Sequence, residues 1–229
     1  MTLKVMTYNI CSCHNLKYDY NPDETIQVIL DENPDIIGIN EMDCKNERNN
    51  FADMPKIMSE KTGYNYFFGK SIDYRGGEYG NMIMSRYPIK SIVNVPIPET
   101  FDATGQRTYE NRAIIKACID VDGQLVNVLI SHYGLSPQER LTAVNQTLKL
   151  INDEPTIFMG DLNCTPDSGE LSLIYGKLTD ISTELTFPSD KPKIKIDYIF
   201  TSSHFEVETA KVIDTQVSDH RPYLITISC

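Results

Sequence analysis

The sequence predicts an α/β (α+β) fold of two packed β-sheets flanked by helices, and three observations carry that reading. Apolar, strand-like runs recur along the whole chain. Helix-start signals fall between the early runs and again in the middle. No repeat, low-complexity tract or linker divides the 229 residues, a length that can bury one large core, so 1–229 reads as a single domain.

The elements follow in order. Thr2 to Asn9 reads as a strand. Asn21-Pro22-Asp23-Glu24 announces a helix, with Asn21 as N-cap, Pro22 at its first position and Ile26, Ile29 and Leu30 as its apolar stripe. Asp35 to Asn40 is a short buried strand ending in Glu41, and Phe51, Met54, Ile57 and Met58 suit a second helix. Strands are then expected at Tyr64–Phe68, Asn81–Ser85, Ile89–Val95, Ala113–Val121 and Leu125–His132, the last two joined at the hairpin signal Asp122-Gly123. Ser136-Pro137-Gln138-Glu139 is a capping box opening a helix that carries Leu141, Val144, Leu148 and Ile151. Strands return at Thr156–Met159, Ile194–Thr201, Phe205–Ile213 and Tyr223–Ile227.

Composition narrows the function. Hydrophobic residues make up 41% and charged residues 23%, an ordinary globular balance. No run approaches the roughly 20 apolar residues of a membrane helix, and Met1 to Met6 enters a strand with no secretory h-region. A soluble, cytoplasmic protein with reduced cysteines is therefore expected. Cys11-Ser12-Cys13-His14 lacks the spacing and the second ligand pair of a zinc site. Acidic side chains outnumber basic ones by 32 to 21, for a net charge of −11, which disfavours a long polyanion as partner. Lys191, Lys193 and Lys195 form the one notable basic cluster and read as a solvated loop rim.

The informative residues interrupt apolar strands or sit at their ends. They are Asn9, Glu41, His132, Asp161 with Asn163, Asp197, and Asp219 with His220. Carboxylates are hard ligands suited to Mg²⁺, or can serve as a base; histidines can donate to phosphate oxygens; asparagines orient ligands without adding charge. No serine or cysteine stands beside a matched base, so metal-assisted chemistry is favoured over a covalent intermediate.

Seven segments carry a resemblance. They are Met6-Thr7-Tyr8-Asn9-Ile10, the run from Pro34 to Asp43 around Asn40-Glu41, the run from Tyr79 to Pro88, Ser131-His132-Tyr133-Gly134-Leu135, Gly160-Asp161-Leu162-Asn163, Lys195-Ile196-Asp197-Tyr198-Ile199-Phe200, and Ser218-Asp219-His220-Arg221-Pro222. In this order they resemble the endonuclease/exonuclease/phosphatase superfamily over essentially the whole chain. The resemblance implies a DNase I-like, four-layer sandwich of two mixed sheets with outer helices. It implies metal binding by Glu41 with Asn9 beside it, and Asp219 helping to hold that ion or a second one. Mg²⁺, or Mn²⁺, is the expected cofactor, with one or two ions left open. Asp161 would activate a water, Asn163 would hold water or a phosphate oxygen, Asp197 would orient His220, and His220 and His132 would donate to the phosphate. Arg112 matches a less constant position that touches phosphate, against the alternative of a solvated strand-end arginine. Cys11-Ser12 departs from relatives that carry histidines there.

Three functions compete. The first is hydrolysis of a small or exposed phosphodiester or phosphomonoester. The second is a nuclease, which needs a basic groove that the acidity disfavours. The third is a non-catalytic member that binds a phosphorylated ligand. No protein partner is implied.

Overall fold

The computed structural model describes residues 2–101 and 110–229. In chain order the elements are β1 (Thr2–Asn9), α1 (Pro22–Glu32), β2 (Ile36–Cys44), α2 (Met54–Thr62), β3 (Asn65–Tyr74), β4 (Gly77–Ser85), β5 (Ile89–Pro96) and β6 (Ala113–Val121). They continue with β7 (Gln124–Ser131), α3 (Pro137–Leu148), β8 (Thr156–Asp161), α4 (Ser172–Tyr175), β9 (Asp197–Thr201), β10 (Glu206–Val212) and β11 (Tyr223–Ser228). One sheet has the order β10-β11-β1-β2-β4-β3 and the other β5-β6-β7-β8-β9. Both are mixed: β1 runs parallel to β2, and β7 parallel to β8, while the other neighbours are antiparallel.

Strand periodicity makes the layers. Leu3, Val5 and Ile36 of the first sheet meet Ile115, Val128, Ile157 and Met159 of the second in a central core. Met6, Tyr8, Ile37 and Ile39 point the other way, onto Ile26, Ile29, Met54 and Met58 of α1 and α2. Leu129, Phe158 and Phe200 pack against Val144, Leu171 and Ile174 on the far side. Two sheets between two helical layers give the four-layer sandwich, and each fully buried Ile, Leu or Phe contributes roughly 1.5–3 kcal/mol of apolar transfer.

Local signals hold in several places. The capping box is present: Ser136 Oγ accepts from Glu139 N (3.2 Å) and Glu139 Oε2 accepts from Ser136 N (3.0 Å). Asp122 and Gly123 take φ of 52° and 94° in the β6–β7 hairpin. Elsewhere the structure corrects the reading. Asn21 precedes α1 but its side chain makes no cap bond; Nδ2 instead donates to Glu24 Oε2. Phe51 lies before α2 and is exposed, and Ile151 lies beyond α3. β9 begins at Asp197, so this residue opens the strand. β3 and β4 run on as a long hairpin, with Tyr74 opposite Gly77, because Arg75 and Gly76 both take positive φ (44° and 78°). Residues 69–80 lack the apolar alternation that would reveal those strands. All six cysteines are free thiols. No helix among the described residues is long and apolar enough to cross a membrane.

Candidate active site

The two parallel pairs set the platform. Asn9 ends β1, Asp161 ends β8, His132 follows β7, and Glu41 follows Asn40, the residue paired with Asn9 on β2. Three of these side chains leave the carboxyl ends of their strands, Glu41 leaves from within β2, and all four meet at the crevice between the sheets. β2 does not stop at Glu41, as the sequence reading expected; it continues to Cys44 across a bulge, and Glu41 sits in that bulge at φ 61°. The extra residue re-aims the carboxylate. Buried Asn40 ties the sheets together: its Nδ2 donates to Asn81 Oδ1 (2.9 Å) and Ser131 O (3.1 Å), and its Oδ1 accepts from Asp161 N (2.8 Å). Before Asp161, Gly160 takes φ 143°, and a Cβ there would stand 1.9 Å from Ser131 O. Only glycine lets β8 approach so closely at that conformation.

Asp161 is the focus of the cluster and is 1% exposed. Its Oδ2 accepts from Asn9 Nδ2 (2.9 Å) and lies 3.5 Å from His132 Nε2 and 3.6 Å from His220 Nε2. Its Oδ1 accepts from Asn163 N (2.9 Å). Burial pushes the Asp161 carboxyl up to about 7; His220 and the donors Asn9 and Asn163 oppose the rise, and Asp197 adds to it. His220 Nδ1 donates to Asp197 Oδ2 at 2.9 Å. Burial alone would lower the His220 pKa, but the Asp197 and Asp161 carboxylates outweigh it and raise it to about 10. His220 is thus an imidazolium whose Nε2 faces the Asp161 side of the crevice.

The other expected residues take more specific places. Asn163 Nδ2 donates to Tyr133 O and reaches His132 Nε2, each at 3.0 Å. That ring nitrogen accepts, so His132 orients Asn163, and burial keeps the ring neutral, its pKa far below the usual value. His132 Nδ1 is buried with no partner among the described residues. Asn9 Nδ2 also donates to Glu41 Oε1 (3.0 Å), while Asn9 Oδ1 accepts from Cys11 N (3.0 Å). Asn9 therefore bridges the two carboxylates. Arg112 is not solvated: its side chain is 14% exposed, Nη1 pairs with Glu110 at 3.2 Å, and Nε is buried without a partner among the described residues. Its charge reaches both Glu41 and His132. Asp219 Oδ1 lies 3.2 Å from Ser218 Oγ, and its charge raises the pKa of Glu41 and of the Cys11 thiol, which places it on the Glu41 side.

The donor set fits a divalent cation. Burial raises the Glu41 pKa, a penalty that a cation beside the carboxylate would offset. Atoms of Asp161, Asp197 and His220 also lie within 4.8 Å of one another. In that trio His220 Nδ1 and Asp197 Oδ2 are already spent on each other, so hard oxygen ligands are better supplied by Glu41 and Asp219.

Some site residues carried no sequence signal of their role. Ser218 Oγ donates to Asn9 O (2.8 Å), joining the last loop to β1. Lys195, read from its neighbours as part of a solvated basic rim, is 2% exposed. Its Nζ lies 3.2 Å from Asp180 Oδ2, donates to Asp197 O (3.1 Å), and sits 4.5 Å from the ring centroids of Tyr198 and Tyr223. Paired and buried, it anchors the start of β9.

Known proteins share this architecture. A structure from Beutenbergia cavernae, itself an endonuclease/exonuclease/phosphatase, superposes with a TM-score of 0.82 at 23% identity, covering 99% of this chain and 71% of that one. A mannosyl-6-phosphatase of Bacteroides thetaiotaomicron gives 0.80 at 19% identity over 99% of this chain and 100% of that one. At these identities the likeness shows the fold. The uncharacterized protein YbhP of Escherichia coli is 25% identical over 183 residues, 73% of this chain and 70% of its own. The model of the endonuclease/exonuclease/phosphatase family matches residues 6–220, the span that holds every residue of the crevice, and the chain belongs to that family.

Proposed function

We propose that this hydrolase cleaves a small or exposed phosphoester by attack of a water, with Mg²⁺ or Mn²⁺ as cofactor. The observation that carries the reading is geometric: buried Asp161 Oδ2 lies 3.6 Å from His220 Nε2, and His220 Nδ1 is held by Asp197 Oδ2 at 2.9 Å. In this setting burial raises the pKa of the Asp161 carboxyl, and the two carboxylates raise that of the His220 imidazolium. One group is set to take a proton near neutral pH and the other to stay charged. Asp161 Oδ2 takes the proton of the attacking water, while Asn9 and the Asn163 N–H fix the orientation of the carboxylate. His220 donates from Nε2 to a phosphate oxygen as charge builds there, its ring held by Asp197. Arg112, whose Nε has no partner among the described residues, supplies a second positive donor. Asn163, steadied by His132 and Tyr133 O, flanks the water.

Glu41 and Asp219 would hold the cation, with Asn9 beside them. When bound, it supplies Lewis-acid neutralisation of the phosphate. The fold is shared with a structure named a mannosyl-6-phosphatase, which makes sugar phosphates a natural arm of a substrate panel. The test is release of p-nitrophenol from bis-p-nitrophenyl phosphate and p-nitrophenyl phosphate, with Mg²⁺, with Mn²⁺ and with EDTA. Turnover with either metal and its loss in EDTA are expected. Full activity in metal-free buffer would refute the mechanism, and no turnover of any phosphoester would leave a ligand-binding protein.

A further inference from the structure

Two pieces of left-handed backbone face each other beside the crevice. Cys11, Ser12 and Cys13 take φ of 45°, 52° and 60°, three consecutive non-glycine residues in a conformation that L side chains rarely adopt. Glu41 takes φ 61° in the β2 bulge. Such outliers persist only where their surroundings over-determine them, and they cluster at functional sites.

One buried hydroxyl joins the two. Ser12, 2% exposed, donates from Oγ to Glu41 O at 3.2 Å. The same oxygen accepts from Arg48 Nη2 at 2.6 Å. Arg48 is in turn fixed by Asp43, which accepts from Nε and Nη2 at 2.8 Å each, and its guanidinium packs 4.9 Å from the Tyr74 ring centroid. Asp43 lies two residues beyond Glu41 on β2. The guanidinium is therefore committed to the protein. It makes the Ser12 oxygen a better donor by drawing charge from it, since hydrogen bonds in a chain polarise one another.

Glu41 is thus gripped at both ends. Asn9 Nδ2 holds its carboxylate and Ser12 Oγ holds its carbonyl, while Asn9 Oδ1 accepts from Cys11 N within the same strained turn. A bulge without the second grip is free to turn its carbonyl and swing the carboxylate. We propose that Ser12, polarised by the Arg48–Asp43 pair, is a positioning residue that pre-sets the Glu41 bulge for cation binding. The inference rests on the reading of Glu41 as a ligand. Groups that orient a metal ligand from behind typically account for 10–100-fold in affinity.

The experiment is Mn²⁺ binding to the full chain, read by electron paramagnetic resonance of free Mn²⁺ and by calorimetry, without substrate. Ser12→Ala is expected to weaken binding about tenfold or more. Ile174→Ala, a core truncation under the far helical layer, is the control for general loosening and should bind as the parent does. Unchanged affinity in Ser12→Ala would overturn the proposal, and so would an equal loss in Ile174→Ala. If Ser12→Ala does not fold, the paired Asp43→Leu, Arg48→Met variant removes both charges together and should show the same loss. Glu41→Gln separates the two readings. Parental affinity in that variant removes the ligand assignment and this inference with it, whereas weak binding there with normal binding in Ser12→Ala removes the inference alone.

Discussion

At the scale of single residues, burial raises the Asp161 carboxyl, while the Asp197 and Asp161 carboxylates raise His220 against its own burial. The two values come to about 7 and about 10, and both groups face the same crevice. In the proposed mechanism Asp161 takes a proton only when deprotonated, so kcat/KM should climb as pH rises through about 7. In the same proposal His220 donates only when protonated, so activity should fall as pH passes about 10. A bell-shaped profile is expected, its acidic limb moving lower as a cation fills the Glu41 side. Asp161→Asn and His220→Ala should each lower kcat by at least about a hundredfold. Near-native turnover in either variant, with an unchanged circular dichroism spectrum, would take that residue out of the mechanism. Asn9, Glu41, Asp161, Asp197 and His220 were all legible in the sequence because each is a polar residue at an apolar strand. The His132–Asn163 contact was not, since it joins residues 31 positions apart through a tautomer that only the fold selects.

At the scale of elements, the close approach of β8 to β7 rests on Gly160. A Cβ there meets Ser131 O at 1.9 Å with φ at 143°. Gly160→Ala should cost roughly 2 kcal/mol or more, a fall in Tm of roughly 4–8 °C for a domain of this size. Differential scanning calorimetry checks it; a parental Tm would mean that β8 can move aside. The start of β9 rests on Lys195 in the same way. Lys195→Met leaves Asp180 buried and unpaired, at a cost of roughly 3–5 kcal/mol. The paired Asp180→Leu, Lys195→Met variant should recover most of that in urea denaturation. Equal stability of the single and paired variants would show that the ion pair is not the anchor. Strands with apolar alternation were readable, as were the capping box and the Asp122-Gly123 hairpin. The Glu41 bulge, the β3–β4 extension and the burial of Lys195 were not. A proline-flanked, lysine-rich segment looks like surface until Asp180, Tyr198 and Tyr223 close around its last lysine.

At the scale of the whole molecule, the charge balance gains meaning from where the cations go. The chain carries 32 acidic against 21 basic side chains. Lys195 is buried against Asp180, Arg48 is held by Asp43, and Arg221 lies 2.6 Å from Asp214. The cluster that might have lined a nucleic-acid rim is thereby reduced to Lys191 and Lys193. Duplex DNA should be a poor substrate beside a small phosphoester, and hydrolysis of the small ester should depend only weakly on salt. Efficient duplex cleavage that falls steeply with added salt would establish a nuclease.

The contact between Asn9 and His220 closes a loop of 211 positions, and β1 lies between β2 and β11, which are far apart in sequence. The crevice therefore has no early, local version. It comes into being only when β11 docks, after most of the loop entropy has been spent. Recovery of activity after dilution from denaturant should follow the slowest phase of refolding, in the range of milliseconds to seconds typical of such non-local sheets. A chain whose β11 has not yet docked lacks the Asn9–His220 contact, and with it the closed crevice.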